Sequence, residues 1–326
     1  MALGEFLKAV GEGLEANRLL GHYTHILTGY MGSVSFLQQA ITLMKTIKKS
    51  NKDIVFVCDP VLGDDGKLYV PAEFVSMYQT HVIPMADIAT PNQTEAEYFR
   101  LMVNSCRLLS GVKITDMSTA LEACHWFHDQ GVHTVIIKSC YITPSSGSPL
   151  IDVIASTRSS SSTKDAEYQH FHLKVPKHPR SFSGTGDLTS ALLLAWLCPS
   201  FPFAEESESK SEHGSSGPTS RAKASPDVSD AQRVKRALEN TIASVQAVLA
   251  RTQQYAAKNA DSDSPGEWVE LRLIQSKRDI EHPTVTLRAT SVVRPVPQVS
   301  VQLALPRHDQ GVTQEGVTVV VIASRL

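Results

Sequence analysis

Ser183-Gly184-Thr185-Gly186-Asp187, running directly into the apolar stretch Leu188 to Leu197, decides how the rest of the chain is read. It has the form of a glycine-rich turn opening a helix. Gly184 and Gly186 can take backbone angles that a Cβ forbids, and they let a ligand approach the main chain closely. The helix N-terminus behind them offers free N–H groups and about half a positive charge, which suits a phosphate. Asp187 falls in the first turn, within reach of whatever those N–H groups hold. A carboxylate there can take a proton from a hydroxyl while the amides hold the phosphoryl group that it attacks. A bare G-T-G-D reads at least as well as an ordinary helix start with a favourably placed acid, so the surrounding chain has to decide.

Upstream, short β-branched runs alternate with helical patterns. Residues 25–30 read as a strand ending in a turn, Phe36 to Ile47 as a helix, and Ile54 to Cys58 as a continuous apolar strand buried on both faces of a parallel sheet. Helices are expected over Met1 to Leu20 (with Phe6, Val10 and Leu14 inward), Pro71 to Tyr78, Thr94 to Met102 and Ser118 to Gln130, which Gly131 ends. Strands are expected at 86–90, 134–137, 150–155 and 168–175, with a serine-rich turn over Ser156 to Ser162. This alternation predicts an α/β fold, and α/β sheets place ligands just past the carboxyl ends of their strands. Pro199 to Asp230 is rich in Ser, Glu, Lys and Pro and reads as a disordered insert. Gln232 to Ala257 resumes as a long amphipathic helix, and from Ser291 the patterning is lost.

The totals narrow the function classes. The chain has 326 residues with 42% hydrophobic and 20% charged content, and a net charge of -2. Nothing in that balance calls for nucleic acid or an anionic membrane as partner. Five scattered cysteines without a C-x-x-C fit free thiols in a reducing cytosol. Met1 to Asn17 carries three glutamates and does not read as a signal peptide, and the apolar runs are too short to span a bilayer.

Two further groups could carry chemistry. Asp59 and Asp64 bracket a turn at a strand end, which suits either Mg²⁺ bridging nucleotide phosphates or a capped turn. Asn92 and Glu95 are spaced to ligate a metal or water, or to form a capping box. His125 with His128 and His170 with His172 lack a carboxylate or cysteine pattern and read as surface or half-buried residues. No G-x-x-x-x-G-K-[ST] occurs, which excludes a P-loop.

Taken in order, Thr28-Gly29-Tyr30, Cys58-Asp59-Pro60-Val61-Leu62-Gly63-Asp64, Ala86-Asp87-Ile88, Thr90-Pro91-Asn92-Gln93-x-Glu95, Gly184-Thr185-Gly186-Asp187 and Gln275-Ser276-Lys277-Arg278-Asp279-Ile280 resemble the pyridoxal kinases of the ribokinase superfamily. The last of these motifs resembles the eukaryotic enzymes. The resemblance covers about Glu5 to Ala289 and implies a three-layer sandwich with a mostly parallel sheet. It implies an ATP-dependent kinase acting on the 5′-hydroxymethyl group of B6 vitamers, in a cytoplasmic homodimer. On that likeness Asp187 is the base and Gly184, Thr185 and Gly186 form the anion hole. Asp59, Asp64, Asn92 and Glu95 surround the Mg-ATP phosphates, with Zn²⁺ an alternative metal, and Asp59 with Thr90 lies near a monovalent cation such as K⁺. Lys138, Ser139, Phe182 and Ser183 fall at ATP-contacting positions, and Tyr30 and Val61 at the vitamer side. Lys138 stands where the animal enzymes have a small hydroxyl residue.

The resemblance also implies a domain divided as 1–199 and 231–290 around the insert at 200–230, with an atypical tail at 291–326. The family carries a further segment ahead of the first helix, with a strand and much of the pyridoxal pocket. The expectation is therefore a poor kinase as the chain stands, or a form that binds ATP or dimerises without turnover. A hydroxymethylpyrimidine kinase of the same superfamily is the rival enzyme.

Overall fold

Alternation inside Val55-Phe56-Val57-Cys58 sets the layers. Phe56 and Cys58 enter one apolar cluster while Val55 and Val57 enter another. A strand that feeds two cores with alternate side chains lies in the middle of three layers.

A computed structural model of the chain describes residues 3–101, 113–142, 150–159, 168–178, 180, 182–198, 231–258 and 270–293. In order these form α1 (Leu3–Ala16), β1 (His25–Thr28), α2 (Val34–Ser50), β2 (Val55–Cys58), β3 (Gly63–Asp64), β4 (Lys67–Leu68), α3 (Glu73–Met77), β5 (Ile88–Ala89), α4 (Gln93–Leu101) and α5 (Met117–Asp129). They continue as β6 (Thr134–Cys140), β7 (Leu150–Arg158), β8 (Tyr168–Pro176), α6 (Thr185–Leu197), α7 (Ala231–Lys258), α8 (Lys277–Glu281) and β9 (Thr290–Val292). The central sheet has seven strands in the order β1-β2-β5-β6-β7-β8-β9. From β1 to β6 neighbours run parallel, and from β6 to β9 antiparallel. Leu37 and Met44 of α2, Phe99 of α4 and Phe127 of α5 fill one face, and Leu193 of α6 and Leu238 of α7 fill the other. The α/β three-layer sandwich expected from the sequence is present.

Local chemistry explains the element ends. Asp116 caps α5 by accepting from Thr119 N at 2.8 Å, while Thr119 Oγ1 accepts from Asp116 N at 3.1 Å. Such a cap contributes about 1 kcal/mol. Gly131, with φ +103°, ends the helix where a side chain would be strained.

Three expectations need correction. In α1 the apolar spacing found the helix and one of its packed residues, Leu14, but Phe6 and Val10 face outward at 58% and 39% exposure, and Gly4 meets α2, where a Cβ would lie 2.9 Å from Ser35 O. Gly4 and Gly11 let the two helices approach closely, and Leu7 and Leu14 pack into the core beside them. Ser156 and Thr157 do not turn; they continue β7 into the core, where Thr157 bonds Thr134 across the strands at 2.9 Å. Strand β9 and the β3–β4 hairpin were not anticipated, being two or three residues long. Residues 200–230 and 294–326 lie outside the described residues.

Candidate active site

The carboxyl ends of three parallel strands converge on one ion pair. Asp59 follows β2, Thr90 follows β5, and Lys138 lies near the end of β6. Asp59 is only 1% exposed. Lys138 Nζ donates to Asp59 Oδ1 at 2.6 Å, and Ser190 Oγ donates to Oδ2 at 2.8 Å. Ser190 has one proton, so the Thr90 hydroxyl, 2.9 Å away, donates to Ser190 Oγ. The sheet is thereby tied to α6 through polar groups satisfied inside the protein.

Asn92 and Glu95 do form a capping box. Asn92 Oδ1 accepts from Glu95 N at 2.8 Å, and Glu95 Oε2 accepts from Asn92 N at 2.7 Å. The same pair reaches further: Glu95 Oε1 accepts from Leu62 N at 3.2 Å, and Asn92 Nδ2 donates to Gly63 O at 2.7 Å. These bonds fix the β3–β4 hairpin, which holds Asp64 at the cavity wall. Burial pushes the Glu95 carboxyl up to about 8, against the pull of Lys138 and the two amides.

The glycine turn opens α6. Gly184 is the N-cap at φ +81° and has no side chain to cap with. Leu188 N bonds Gly184 O at 2.9 Å, which leaves the amides of Thr185, Gly186 and Asp187 without partners inside the helix. Lys138 Nζ lies 3.4 Å from the point a Cβ on Gly186 would occupy. Asp187 Oδ1 lies 3.4 Å from the corresponding point on Gly29, just past the end of β1, so the carboxylate is packed against that turn.

Around these groups is a cavity of about 510 Å³, within the range of small-molecule sites. Asp59, Asp64, Asn92, Glu95, Lys138, Ser139 and the turn from Phe182 to Asp187 line it, and so does Val61. Away from the ion pair part of its wall is apolar, built by Val153 and Val175 of the sheet and Ile242, Val245 and Leu249 of α7, with Lys177, His178, Arg180 and Gln246 also lining it. Sequence reading missed this wall: an apolar stripe on a helix looks the same whether it meets a core or a ligand. It also missed Ser190, a lone hydroxyl within an apolar run. Two candidates do not line the cavity. Thr90 is fully buried against Ser190, and Tyr30 is 58% exposed.

Of the four histidines singled out, His125 and His172 are half-buried as expected, and two are not. His128 and His170 are buried and share Ser156 Oγ, at 2.8 and 2.9 Å. Burial pushes His128 down to about 4, so it is neutral, with Nδ1 donating to Val132 O. Neither lines the cavity.

The donor set fits a divalent ion shared with phosphates better than one held by protein alone. Among the described residues no three His, Cys, Asp or Glu side chains group to hold a metal. Both carboxylate oxygens of Asp59 and of Glu95 already accept hydrogen bonds. Asp64 is exposed at the wall, and Mg²⁺ typically takes one or two carboxylates plus phosphate oxygens and water.

A family model described as phosphomethylpyrimidine kinase matches residues 24–206. A pyridoxal kinase of Arabidopsis thaliana is 36% identical over 287 residues, covering 88% of this chain and 76% of that protein. The Homo sapiens pyridoxal kinase is 34% identical over 291 residues, covering 87% and 80%. The pyridoxal kinase from Leishmania donovani in complex with ADP and pyridoxamine has the same fold, with a TM-score of 0.66 at 27% identity over 90% of this chain and 82% of that one. With these relatives, and with the glycine turn, the ion pair and the cavity assembled on one ribokinase-like sheet, the chain belongs to the pyridoxal kinase family.

Proposed function

We propose that this chain transfers the γ-phosphoryl group of ATP to the 5′-hydroxymethyl group of pyridoxal, pyridoxine or pyridoxamine. The observation that carries the reading is the juxtaposition at α6: three amides without helical partners, and the Asp187 carboxylate in the same turn. Asp187 takes the proton of the vitamer hydroxyl as its oxygen bonds to phosphorus. The bond between that phosphorus and the bridging oxygen of ADP breaks, and ADP leaves. The amides of Thr185 and Gly186 hold the equatorial oxygens where charge accumulates, an arrangement worth on the order of 3 kcal/mol per donor. Ser139, Phe182 and Ser183 are assigned to the nucleotide, whose base lies against the apolar wall from Val153 to Leu249. Val61 and Tyr30 are assigned to the vitamer, and Tyr30 has to fold inward to serve. A divalent ion held by Asp64 and the phosphates would neutralise the triphosphate. A cytosolic homodimer belongs to the same reading. It is supported by four buried free thiols (Cys58, Cys124, Cys140 and Cys198) and by the exposed Leu3 and Phe6 of α1.

The match to the phosphomethylpyrimidine kinase model favours a second substrate, hydroxymethylpyrimidine, whose hydroxyl would meet the same base. Competition separates the two: ADP release is measured with pyridoxal and with hydroxymethylpyrimidine, each alone and together. The expected result is a kcat/KM for pyridoxal that exceeds the pyrimidine's. The reverse order overturns the vitamer assignment while leaving the phosphotransfer intact.

A further inference from the structure

The likeness to the family implies a monovalent cation beside Asp59 and Thr90. In this chain that corner is already filled. Asp59 Oδ1 faces the Lys138 ammonium at 2.6 Å, and Oδ2 accepts from Ser190. The Thr90 hydroxyl is engaged by Ser190. Lys138 is only 11% exposed in its side chain and Asp59 1%, so the pair is largely screened from solvent. A second cation placed on these oxygens would sit against an ammonium in a poorly hydrated site, where like charges repel strongly. The buried carboxylate is balanced without it.

The ammonium is also well placed for the phosphoryl group. It has three donors, of which one goes to Asp59 Oδ1. It lies beside Gly186, where the point of a Cβ is 3.4 Å from Nζ and 4.0 Å from Asp59 Oδ2. The opening turn of α6 therefore lies in van der Waals contact with the ion pair. Glu95 also feels the Lys138 charge.

We infer that Lys138 is the chain's built-in cation: its ammonium takes the place of a monovalent ion at the Asp59–Thr90 corner, so neither nucleotide binding nor phosphoryl transfer depends on K⁺. The inference rests on the phosphotransfer reading for its kinetic part, but its ligand-free and binding parts stand apart from that reading.

The test compares wild type, Lys138→Thr and Lys138→Met in potassium buffer and in potassium-free tetramethylammonium buffer. Threonine offers a hydroxyl oxygen that can ligate an ion; methionine keeps the length and offers none. Three quantities are read: pyridoxal phosphorylation, ADP affinity by calorimetry, and the melting temperature without ligand. Wild type is expected to behave alike in both salts by all three. Lys138→Thr is expected to lose about 10²-fold in kcat without K⁺, and to regain activity, ADP affinity and melting temperature when K⁺ is added. Lys138→Met is expected to lose them without recovery, a contrast that a merely structural lysine would not produce. Stimulation or stabilisation of wild type by K⁺ overturns the inference, as does a Lys138→Thr protein indifferent to K⁺. Should the variants not fold, the wild-type comparison decides alone. A wild type without kinase activity in either salt defeats the phosphotransfer reading, and the calorimetric and melting data still decide the role of Lys138.

Discussion

At the scale of single residues, Gly184 and Glu95 illustrate two kinds of constraint. Gly184 sits at φ +81° with open space around it; the nearest atom to a Cβ there is Leu271 Cδ1 at 3.8 Å. The cost of a side chain is therefore conformational, roughly 1–2 kcal/mol for an L-residue and more for a β-branched one. Gly184→Val is expected to fold, to melt lower, and to lose about 10²–10³ in kcat as the anion hole is displaced. Gly184→Asn, which tolerates the left-handed region, should retain more activity; equal rates for Gly184→Val and wild type would make the turn purely structural. Glu95 is constrained by charge. Its folded pKa is raised from 4.5 to about 8 by burial, so between those values the folded state holds a proton that the unfolded state releases. Stability therefore declines as pH rises across that window. Melting curves should show this decline in wild type and a flatter profile in Glu95→Gln; a wild type that gains stability over the same range contradicts the assignment. The sequence made these positions legible because glycine and acid types at strand and helix ends have few other uses. Ser190 was not legible, since one serine in an apolar helix carries no spacing signal.

Among the elements, the β3–β4 hairpin shows why short pieces are hard to read. Its pairing spans only Gly63 with Leu68 and Asp64 with Lys67, too few residues for a period to emerge. What holds it is the capping box of α4, through Leu62 N and Gly63 O. At Asn92 and Glu95 the cap is present, and it also carries the hairpin that places Asp64 at the cavity wall. A Cβ on Gly63 would fall 1.9 Å from Lys67 O and 2.8 Å from Leu68 Cα, backbone atoms that cannot swing aside. Gly63→Ala is expected to open the hairpin, to destabilise by about 1–3 kcal/mol, and to weaken ATP binding. Denaturant titration and calorimetry check this; unchanged ATP affinity would mean that the hairpin has no part in holding phosphates. Helix α1 gives a complementary lesson. Its apolar spacing was clear and Leu14 packs as expected, yet Phe6 and Val10 face outward and Gly4 packs on Ser35, because close backbone approach depends on the partner helix and not on the segment itself.

For the whole molecule, the parallel half of the sheet was the readable part. Strand β2 is apolar throughout and β6 opens on an apolar run, and the carboxyl ends of the parallel strands lie at the candidate site. The antiparallel half was seen as strands, but β9, which pairs with β8 only from Thr290 to Val292, had no pattern of its own. Residues 200–230 are proposed, on composition alone, to form an insert between two parts of one domain. Deleting residues 207–229 with a short flexible linker should leave the melting temperature nearly unchanged, since loop closure costs only about 0.6 kcal/mol per doubling of length; a large fall would show that the insert packs on the domain. The phosphotransfer itself is tested most directly by following the γ-phosphate of radiolabelled ATP with the full chain, pyridoxal and Mg²⁺, beside Asp187→Asn. Label is expected in pyridoxal 5′-phosphate, one per ADP released, and the Asp187→Asn rate should be lower by about 10²–10⁴-fold with ADP affinity nearly unchanged. Transfer at the wild-type rate by Asp187→Asn, or ADP binding by wild type with no label reaching any of the three vitamers, would contradict it.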